Sequence, residues 1–379
     1  MKKKIFSAVA VFFFAVIFLT QSCSRHKTDC PDPNDPDSLY IGTPFTLTKP
    51  FKFPNIQMPS GINLTTEGIY LGRMLFYDPV LSSDSSLSCA SCHKQQVAFA
   101  DGGLALSTNV FGLTKRNSPP IFNMVWQKSY FWDGRAPTLD AQAQDAMEHE
   151  LNFIDPNVIP RLQAKTKYVA LFKKAFGRPG NITKEYVSNA LTQFMLTLIS
   201  SESRFDSIMR GQGNFTAEES RGFYDLFRQD PALNTIEPGV GGDCFHCHFS
   251  STADYLTMTD GNFHNNSIDT SSGFQFTDNG QGAVTGNSLQ NGFFKSPSVR
   301  NIEVTGPYMH DGRFTTLEQV VNFYNDSLKP NATQDPLMKF TSQGGLHSLS
   351  AQDKADIVSF LKTLTDYHFL TDTSFSNPF

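Results

Sequence analysis

The sequence has few charged residues, and beyond residue 22 it has no excess of basic ones. Charged residues make up 18% of the 379 positions and hydrophobic residues 39%, which is enough for sizeable cores and excludes a largely disordered chain. Residues 23–379 contain 28 lysines and arginines against 36 acidic residues, so there is no electrostatic case for nucleic-acid binding. Alternating strand-like patterns are also scarce. The length favours two or three domains, and the patterns favour helices.

The chain lacks a hydrophobic run long enough to span a bilayer comfortably. The run at 5–19 has about 15 residues and follows three lysines, which is typical of a signal peptide, so residues 1–22 are expected to be removed on export. The segment ending in Cys23 resembles a lipoprotein cleavage site, which would make Cys23 the lipidated first residue; ordinary secretion is the alternative. Residues 23–60 are polar and rich in proline, which favours an extended tether.

Cysteines are few, and their number is odd once Cys23 is set aside, which argues against a disulfide framework. Four of the remaining five form two C-x-x-C pairs, each followed at once by histidine, which is the attachment signature of c-type haem. Two residues between the thiols let both sulfurs reach the two vinyl groups on one edge of the porphyrin, and the histidine then ligates the iron. The predicted haem residues are Cys89, Cys92, His93, Cys244, Cys247 and His248.

Two other uses of these cysteines have to be weighed. One zinc ion could take all four thiolates, but such a site needs no histidine after each pair. A thioredoxin-like redox motif needs a βαβ context, which neither segment offers. Covalent haem is therefore the favoured interpretation, and Cys30 is interpreted as an incidental thiol in the tether.

Part of the sequence is repeated at a fixed offset of 178 positions. Nine identities align residues 118–139 with 296–317, including the tripeptide Asp-Gly-Arg in both copies. Each copy follows its own haem motif, which indicates two related haem domains from an internal duplication. The best boundary is the polar stretch 211–214, so we expect a first domain at 61–213 and a second at 214–379.

Hydrophobic periodicity predicts helices in both halves of the chain. Five apolar residues between 187 and 198 fall on one helical stripe. Thr216 begins a capping-box match, and Ser350 can cap a helix near the end of the chain. The residues expected in the core are Val187, Ala190, Leu191, Phe194, Leu198, Phe223, Leu226, Phe227, Ile357, Phe360, Leu361 and Leu364. The predicted fold class is mainly α: two cytochrome c-like haem domains with long loops and little β structure.

Several segments outside the haem motifs resemble those of the bacterial di-haem cytochrome c peroxidase family, which includes MauG. The first half has LGRMLFYD at 71–78, RNSP at 116–119 and FWDGR at 131–135. The second half has SPSVRN at 296–301 and PYMHDGR at 307–313. Their order matches the family over roughly residues 60–365. The resemblance implies a peroxide-reducing haem in the first domain and an electron-transfer haem in the second.

The resemblance implies that His93 is the proximal ligand of the first haem. Many family members hold a second histidine on that iron, in the loop after the haem motif, but residues 94–116 contain no histidine. The aligned position is Asn109, and a neutral amide is a poor iron ligand. We therefore expect an open, high-spin first haem that needs no reductive activation.

The family's acid–base group beside that haem is a glutamate that follows a glutamine. Gln142 matches the glutamine, and Glu150 is the favoured glutamate because Glu150-Leu151 is most similar to the family's Glu-Met pair. Glu148 and His149 are the alternatives. The glutamate would move a proton from the inner to the outer peroxide oxygen, so that water leaves as the O–O bond breaks.

For the second haem, the resemblance implies His248 as the proximal ligand and a distal ligand 14 positions after His310. That position is methionine in electron-transferring peroxidases, whereas here it is Tyr324, with Met309 as the competing ligand. Methionine raises the potential of the iron, and a phenolate favours its higher oxidation states.

The resemblance also implies an electron relay and a calcium ion. Trp132 would lie between the two haems and carry electrons. A calcium ion between the domains would take oxygen ligands from Asn117, Thr305 and Pro307. The histidines without an assigned role are expected to be structural or exposed: His246, His264, His347 and His368.

Together these expectations favour a periplasmic di-haem peroxidase, lipid-anchored at Cys23, in which Glu150, Gln142 and Trp132 are the catalytic residues. It would reduce hydrogen peroxide with electrons from a donor such as a small cytochrome c or a cupredoxin. The runner-up is a MauG-like oxidase that modifies a partner protein through a high-valent haem. The non-enzymatic alternative is a two-haem electron carrier, and a homodimer is compatible with all three.

Overall fold

The computed structural model describes residues 42–177, 182–227, 241–249, 255–338 and 349–379. The predicted signal peptide, Cys23, Cys30 and His347 lie outside the described residues, as does the part of the predicted tether before residue 42. None of the helices in the described ranges is long and apolar enough to cross a membrane.

Helices make up most of the regular structure, and the strands in the described ranges form two short antiparallel pairs. The pairs are β1 (Thr108–Asn109) with β2 (Gly112–Leu113), and β3 (Phe263–His264) with β4 (Phe294–Lys295). The helices are α1 Thr66–Tyr77, α2 Cys89–Cys92, α3 Leu139–Leu151, α4 Val158–Gln163, α5 Thr166–Phe176, α6 Lys184–Thr197, α7 Arg204–Met209, α8 Ala217–Ser220, α9 Phe245–His248, α10 Gln281–Thr285, α11 Leu317–Asp326, α12 Ala351–Lys362 and α13 Tyr367–Thr371. The predicted mainly α fold is confirmed.

The centre of the first half is the contact between α1 and α6. The predicted apolar stripe of α6 is buried, with Val187, Ala190 and Phe194 fully covered. The two helices approach closely because Gly72 of α1 has no side chain: a Cβ there would lie 1.9 Å from the backbone oxygen of Ala190. α3 also packs against α6, so this helix is fixed to the core.

The second half repeats this helix pair. A π-helical segment, Arg221–Phe227, continues α8 and packs against α12. A Cβ on Gly222 would lie 2.1 Å from the backbone oxygen of Asp356, so this pair also depends on a glycine. Both predicted caps are confirmed, because Thr216 and Ser350 each form a capping box.

Segments related by the 178-residue offset have the same local structure. Asn123 and Asn301 both have a positive φ, 54° and 55°. Tyr130 and Tyr308 each donate a hydrogen bond to the backbone carbonyl six residues earlier, at 3.1 and 2.9 Å. These matches confirm the internal duplication.

Two clusters of buried apolar side chains form the core. The first is built on α1, α3 and α6, but it also contains Phe369 from the end of the chain. Arg73 of α1 donates hydrogen bonds to the backbone oxygens of Thr373 and Ser376. The second cluster contains Phe53, which is fully buried although it falls in the predicted tether. The domain boundaries stay predictions, since both cores take side chains from outside the predicted domain.

Candidate active site

The first C-x-x-C-H motif forms one helical turn that ends at the predicted ligand. Ser88 caps α2, and His93 follows the last residue of this helix. His93 Nδ1 lies 2.7 Å from the carbonyl oxygen of Phe99. A carbonyl only accepts, so the ring proton sits on Nδ1 and Nε2 is left free to ligate a metal. Burial lowers the pKa of His93, which keeps the ring neutral.

A cavity of about 1260 Å³ opens beside this motif, and His93, Gln142 and Glu150 all line it. Gln142 and Glu150 are eight positions apart on α3 and therefore share one face of the helix. Gln142 Oε1 is buried without a hydrogen-bond partner. Burial raises the pKa of Glu150 above its ordinary value. A carboxyl group with a raised pKa is suited to binding and releasing a proton during a reaction.

Asn109, which stands in place of a second histidine, lines the same cavity. It lies in β1, and its Oδ1 accepts a hydrogen bond from the backbone nitrogen of Phe111 at 2.9 Å. The amide oxygen is thus used by its own hairpin. An open iron position on this side stays a prediction.

The two alternatives to Glu150 are placed differently. Glu148 forms an ion pair with Lys184, with 2.6 Å between Oε1 and Nζ. The side chain of His149 is 71% exposed, and its Nδ1 lies 3.0 Å from the backbone oxygen of Asp145. Of the three candidates, only Glu150 lies on the cavity wall without being exposed. The geometry therefore favours Glu150.

The second C-x-x-C-H motif also forms one helical turn, α9, with Cys244 as its N-cap. His248 Nδ1 lies 3.0 Å from the carbonyl oxygen of Pro297, so Nε2 is again free to ligate. Burial lowers the pKa of His248 and raises that of Cys244 to about 12. A neutral imidazole and a neutral thiol therefore face this second cavity.

The second cavity has a volume of about 200 Å³, and both candidate distal ligands line it. Asn266 Nδ2 lies 3.2 Å from Tyr324 Oη and 3.6 Å from Met309 Sδ, so one amide holds the two side chains together. Burial raises the pKa of Tyr324, so the phenol by itself carries no charge. The choice between the two ligands stays a prediction, and nothing in the local sequence pointed to Asn266.

Trp132 lines both cavities. Its Nε1 donates to the backbone oxygen of Asn117 at 2.9 Å, and its own carbonyl accepts from the backbone nitrogen of Lys295 at 2.8 Å. The indole is therefore fixed in the wall that the two cavities share. Its role as a relay stays a prediction.

The three predicted calcium ligands are brought together. Asn117, Thr305 and Pro307 all line the second cavity, and the backbone nitrogen of Asn117 donates to the carbonyl of His310 at 2.8 Å. Within the described ranges, no group of three or more His, Cys, Asp or Glu side chains could hold a metal ion. A calcium ion here would depend on neutral oxygens, and it stays a prediction.

The geometry excludes the zinc alternative and fits two c-type haems. Cys89 and Cys92 line a third cavity of about 50 Å³, and Gln142 lines both this cavity and the large one. Cys244 and Cys247 line the second cavity instead, so the four thiols do not converge. Each motif offers two thiols, an imidazole with a free Nε2 and an adjacent cavity. That donor set is the one c-type haem requires.

Sequence reasoning gave no role to His264, which lies in the wall of the second cavity. Its Nε2 is 2.9 Å from Asp260 Oδ2, and its Nδ1 is 2.7 Å from Asp335 Oδ2. Burial alone would lower its pKa, but the two carboxylates raise it to about 12, so the ring is an imidazolium. Of the other described histidines without a role, His246 pairs with an aspartate and His368 is exposed.

Comparison with known proteins identifies the family of the chain. The family model of di-haem cytochrome c peroxidase matches residues 66–214. The chain is 33% identical over 355 residues to the methylamine utilization protein MauG of Methylorubrum extorquens, covering 92% of this chain and 90% of the relative. It is 29% identical over 299 residues to cytochrome c551 peroxidase of Nitrosomonas europaea, covering 78% and 79%. A crystal structure of a MauG-like protein associated with microbial copper homeostasis has a TM-score of 0.72 and 29% identity, covering 88% of this chain and 99% of that one.

The two haem motifs and the duplicated helical fold define a c-type di-haem protein. The chain belongs to the di-haem cytochrome c peroxidase family, which includes MauG. Membership implies two haems and an oxidoreductase of the peroxidase type. The names of the relatives are divided between MauG and cytochrome c peroxidase, so membership alone does not decide between these activities.

Proposed function

We propose that this chain reduces hydrogen peroxide to water with electrons from a small donor protein, such as a cytochrome c or a cupredoxin. The observation that carries the proposal is the shared cavity of His93, Gln142 and Glu150, next to a hairpin that presents Asn109 instead of a second histidine. A cavity lined by an acid–base group and one imidazole can bind and convert a small substrate. A plain electron carrier needs no such cavity.

The haems, when bound, supply the redox-active iron at which the O–O bond is cleaved and electrons are stored. Glu150 takes the proton from one peroxide oxygen and returns it to the other, so that this oxygen leaves as water. With its raised pKa, Glu150 takes up that proton more readily than an exposed glutamate does. Gln142 Oε1 is free to accept a hydrogen bond from the peroxide. Two electrons and two protons then balance the formation of two waters.

Trp132 completes the proposed mechanism as the relay between the two sites. Its indole borders both cavities and is held by Asn117, so it can pass electrons without changing its position. His248 and Tyr324 would hold the iron of the second haem, with Met309 as the alternative to Tyr324.

A MauG-like oxidase that modifies a partner protein is the second candidate. Two features favour it: the phenol of Tyr324 lines the second cavity, and Asn109 lines the first where many family members have a second histidine. The match to the MauG relative of Methylorubrum extorquens, which covers 92% of this chain, also supports it.

The cellular setting belongs to the same proposal. We infer that residues 1–22 direct export, that Cys23 carries a lipid and that the protein works in the periplasm as a monomer or homodimer. Asn117, Thr305 and Pro307 are proposed to hold one calcium ion between the halves, and removal of calcium with a chelator should change the spectrum of the second haem.

The test is a ferric absorption and EPR spectrum of the purified holoprotein, followed by addition of peroxide. A high-spin signal that disappears with peroxide supports the enzyme, whereas two low-spin haems that ignore peroxide would establish the electron carrier instead. Steady-state turnover with reduced cytochrome c then separates the candidates. Fast oxidation of reduced cytochrome c by peroxide indicates the peroxidase. If peroxide oxidises the protein but reduced cytochrome c does not support turnover, the result indicates the MauG-like oxidase.

A further inference from the structure

Lys295 stands at the junction of the two halves. It ends β4, and its backbone nitrogen donates to the carbonyl of Trp132 at 2.8 Å. Its side chain lines both cavities. Two residues later, the carbonyl of Pro297 accepts a hydrogen bond from Nδ1 of His248 in the second haem motif. Lys295 is therefore fixed between the sites rather than on an outer surface.

The ammonium of Lys295 has neutral partners. Its Nζ donates to Gln127 Oε1 at 2.5 Å and to the backbone oxygen of Ser129 at 2.8 Å. Within the described ranges, no carboxylate lies within 4 Å of this nitrogen. Asp133 attracts it from further away, but the carboxylate of Asp133 already pairs with Arg116.

A cation without a counter-ion is costly when it is removed from water. Burial lowers the pKa of Lys295 to about 8, which is the electrostatic sign of that cost. Other cations on the wall of the first cavity avoid it. Arg116 is paired with Asp278 and Asp133, and Lys128 is exposed. Lys295 thus lacks an anion that its position calls for.

We propose that the missing anion is a propionate carboxylate of one of the haems, bound by the third N–H of Lys295. Every haem carries two propionates on the edge opposite its vinyl groups, and these are the anionic groups that a haem would bring into either cavity. The inference depends on the two haems of the proposed function, but not on peroxide turnover. Lys295 would then be a positioning residue that holds the haem edge next to Trp132. A positive charge there also stabilises the reduced iron and raises its reduction potential.

The test is a redox titration of Lys295→Met, monitored by absorption, together with resonance Raman spectra of the propionate bending modes. The midpoint potential of one haem should fall, and its propionate modes should shift. The spectrum of the haem that responds identifies which of the two supplies the carboxylate. Lys295→Arg keeps the charge and should keep most of the potential. Lys128→Met removes a charge from the exposed side of the first cavity and should change neither haem.

Unchanged potentials and propionate modes in Lys295→Met would overturn the proposal. It would also fail if Lys295→Arg lowered the potential as much as Lys295→Met, because the charge would then not be the cause. If Lys295→Met does not fold, the arginine variant and Lys295→Gln are compared in the same way. All titrations are run without peroxide. A chain that shows the shift but has no peroxidase activity would therefore support the lysine contact and refute the proposed function.

Discussion

Glu150→Gln is the substitution that most directly tests the proposed chemistry. Glutamine keeps the shape of the side chain and a hydrogen-bonding oxygen, but it cannot bind and release a proton. Glu148→Gln is the matched control, because Glu148 lies two positions earlier in α3 and is paired with Lys184 instead of facing the cavity. The two variants carry the same chemical change, glutamate to glutamine, and differ only in its position on α3.

The size of the expected effect follows from the lack of a substitute. His149 is exposed, and Asp145 is paired with Arg135, so neither is placed to take over the proton transfer. Loss of a general acid–base group costs about 10²- to 10⁴-fold in rate, which corresponds to about 2.7–5.4 kcal/mol of barrier. Glu148→Gln breaks a partly exposed ion pair, which costs about 0.2–1 kcal/mol of stability and leaves the rate unchanged.

The assay is the rate at which peroxide reacts with the first haem, measured by stopped-flow absorption from pH 4 to pH 9. In the unmodified protein the rate should rise as Glu150 ionises, at a pH above the ordinary pKa of 4.5. The glutamine variant should be slow and should lose this rise. Equal rates for Glu150→Gln and the unmodified protein would refute the assignment, as would an equal loss in Glu148→Gln.

The raised pKa of Glu150 also has a consequence for stability. The unfolded chain ionises this carboxyl at lower pH than the folded chain does, so folding loses stability as the pH rises between the two pKa values. The loss is absent below the unfolded pKa and complete above the folded one. Thermal unfolding should therefore show Glu150→Gln gaining stability over the unmodified protein between pH 4 and neutral pH. A gain that does not depend on pH would contradict the burial of a titrating carboxylate.

Three further substitutions test the rest of the structure. Trp132→Phe should slow electron exchange between the haems, measured by stopped-flow absorption. A rate of electron exchange equal to that of the unmodified protein would refute the role of Trp132 as a relay. Tyr324→Phe should change the ferric spectrum of the second haem while Met309→Leu does not, and the reverse result would assign methionine as the ligand. Gly72→Ala forces α1 away from the backbone of α6 and should cost about 1–3 kcal/mol in urea unfolding. Gly213→Ala, whose Cβ would meet its nearest atom only at 3.7 Å, should be tolerated.

The sequence was sufficient wherever the signal is local. The haem motifs are short, and the capping boxes that begin at Thr216 and Ser350 each span only four residues. The repeat was also visible, because the same turn needs the same residues in both copies: Asn123 and Asn301 share a positive φ that asparagine tolerates well. The fold class and the family could therefore be predicted from the sequence alone.

The features that could not be predicted depend on the direction in which a side chain points or on contacts between residues far apart in the sequence. Glu148 and Glu150 lie on nearly opposite sides of the helix, about 160° apart around its axis, so only the packing of α3 decides which of them faces the cavity. The charge of His264 is fixed partly by Asp335, which is 71 positions away. Lys295 gives no local signal either, since Gln127 and Ser129, its neutral partners, come from the other half of the chain.

Residues 369–376 cover the first half of the molecule, where Phe369 packs in the core and Arg73 donates hydrogen bonds to the backbone at Thr373 and Ser376. During synthesis, therefore, the half that emerges first from the ribosome cannot complete its apolar core until residues 369–376 have also been made. Cutting the gene between the two copies should therefore yield one fragment with an uncovered apolar face.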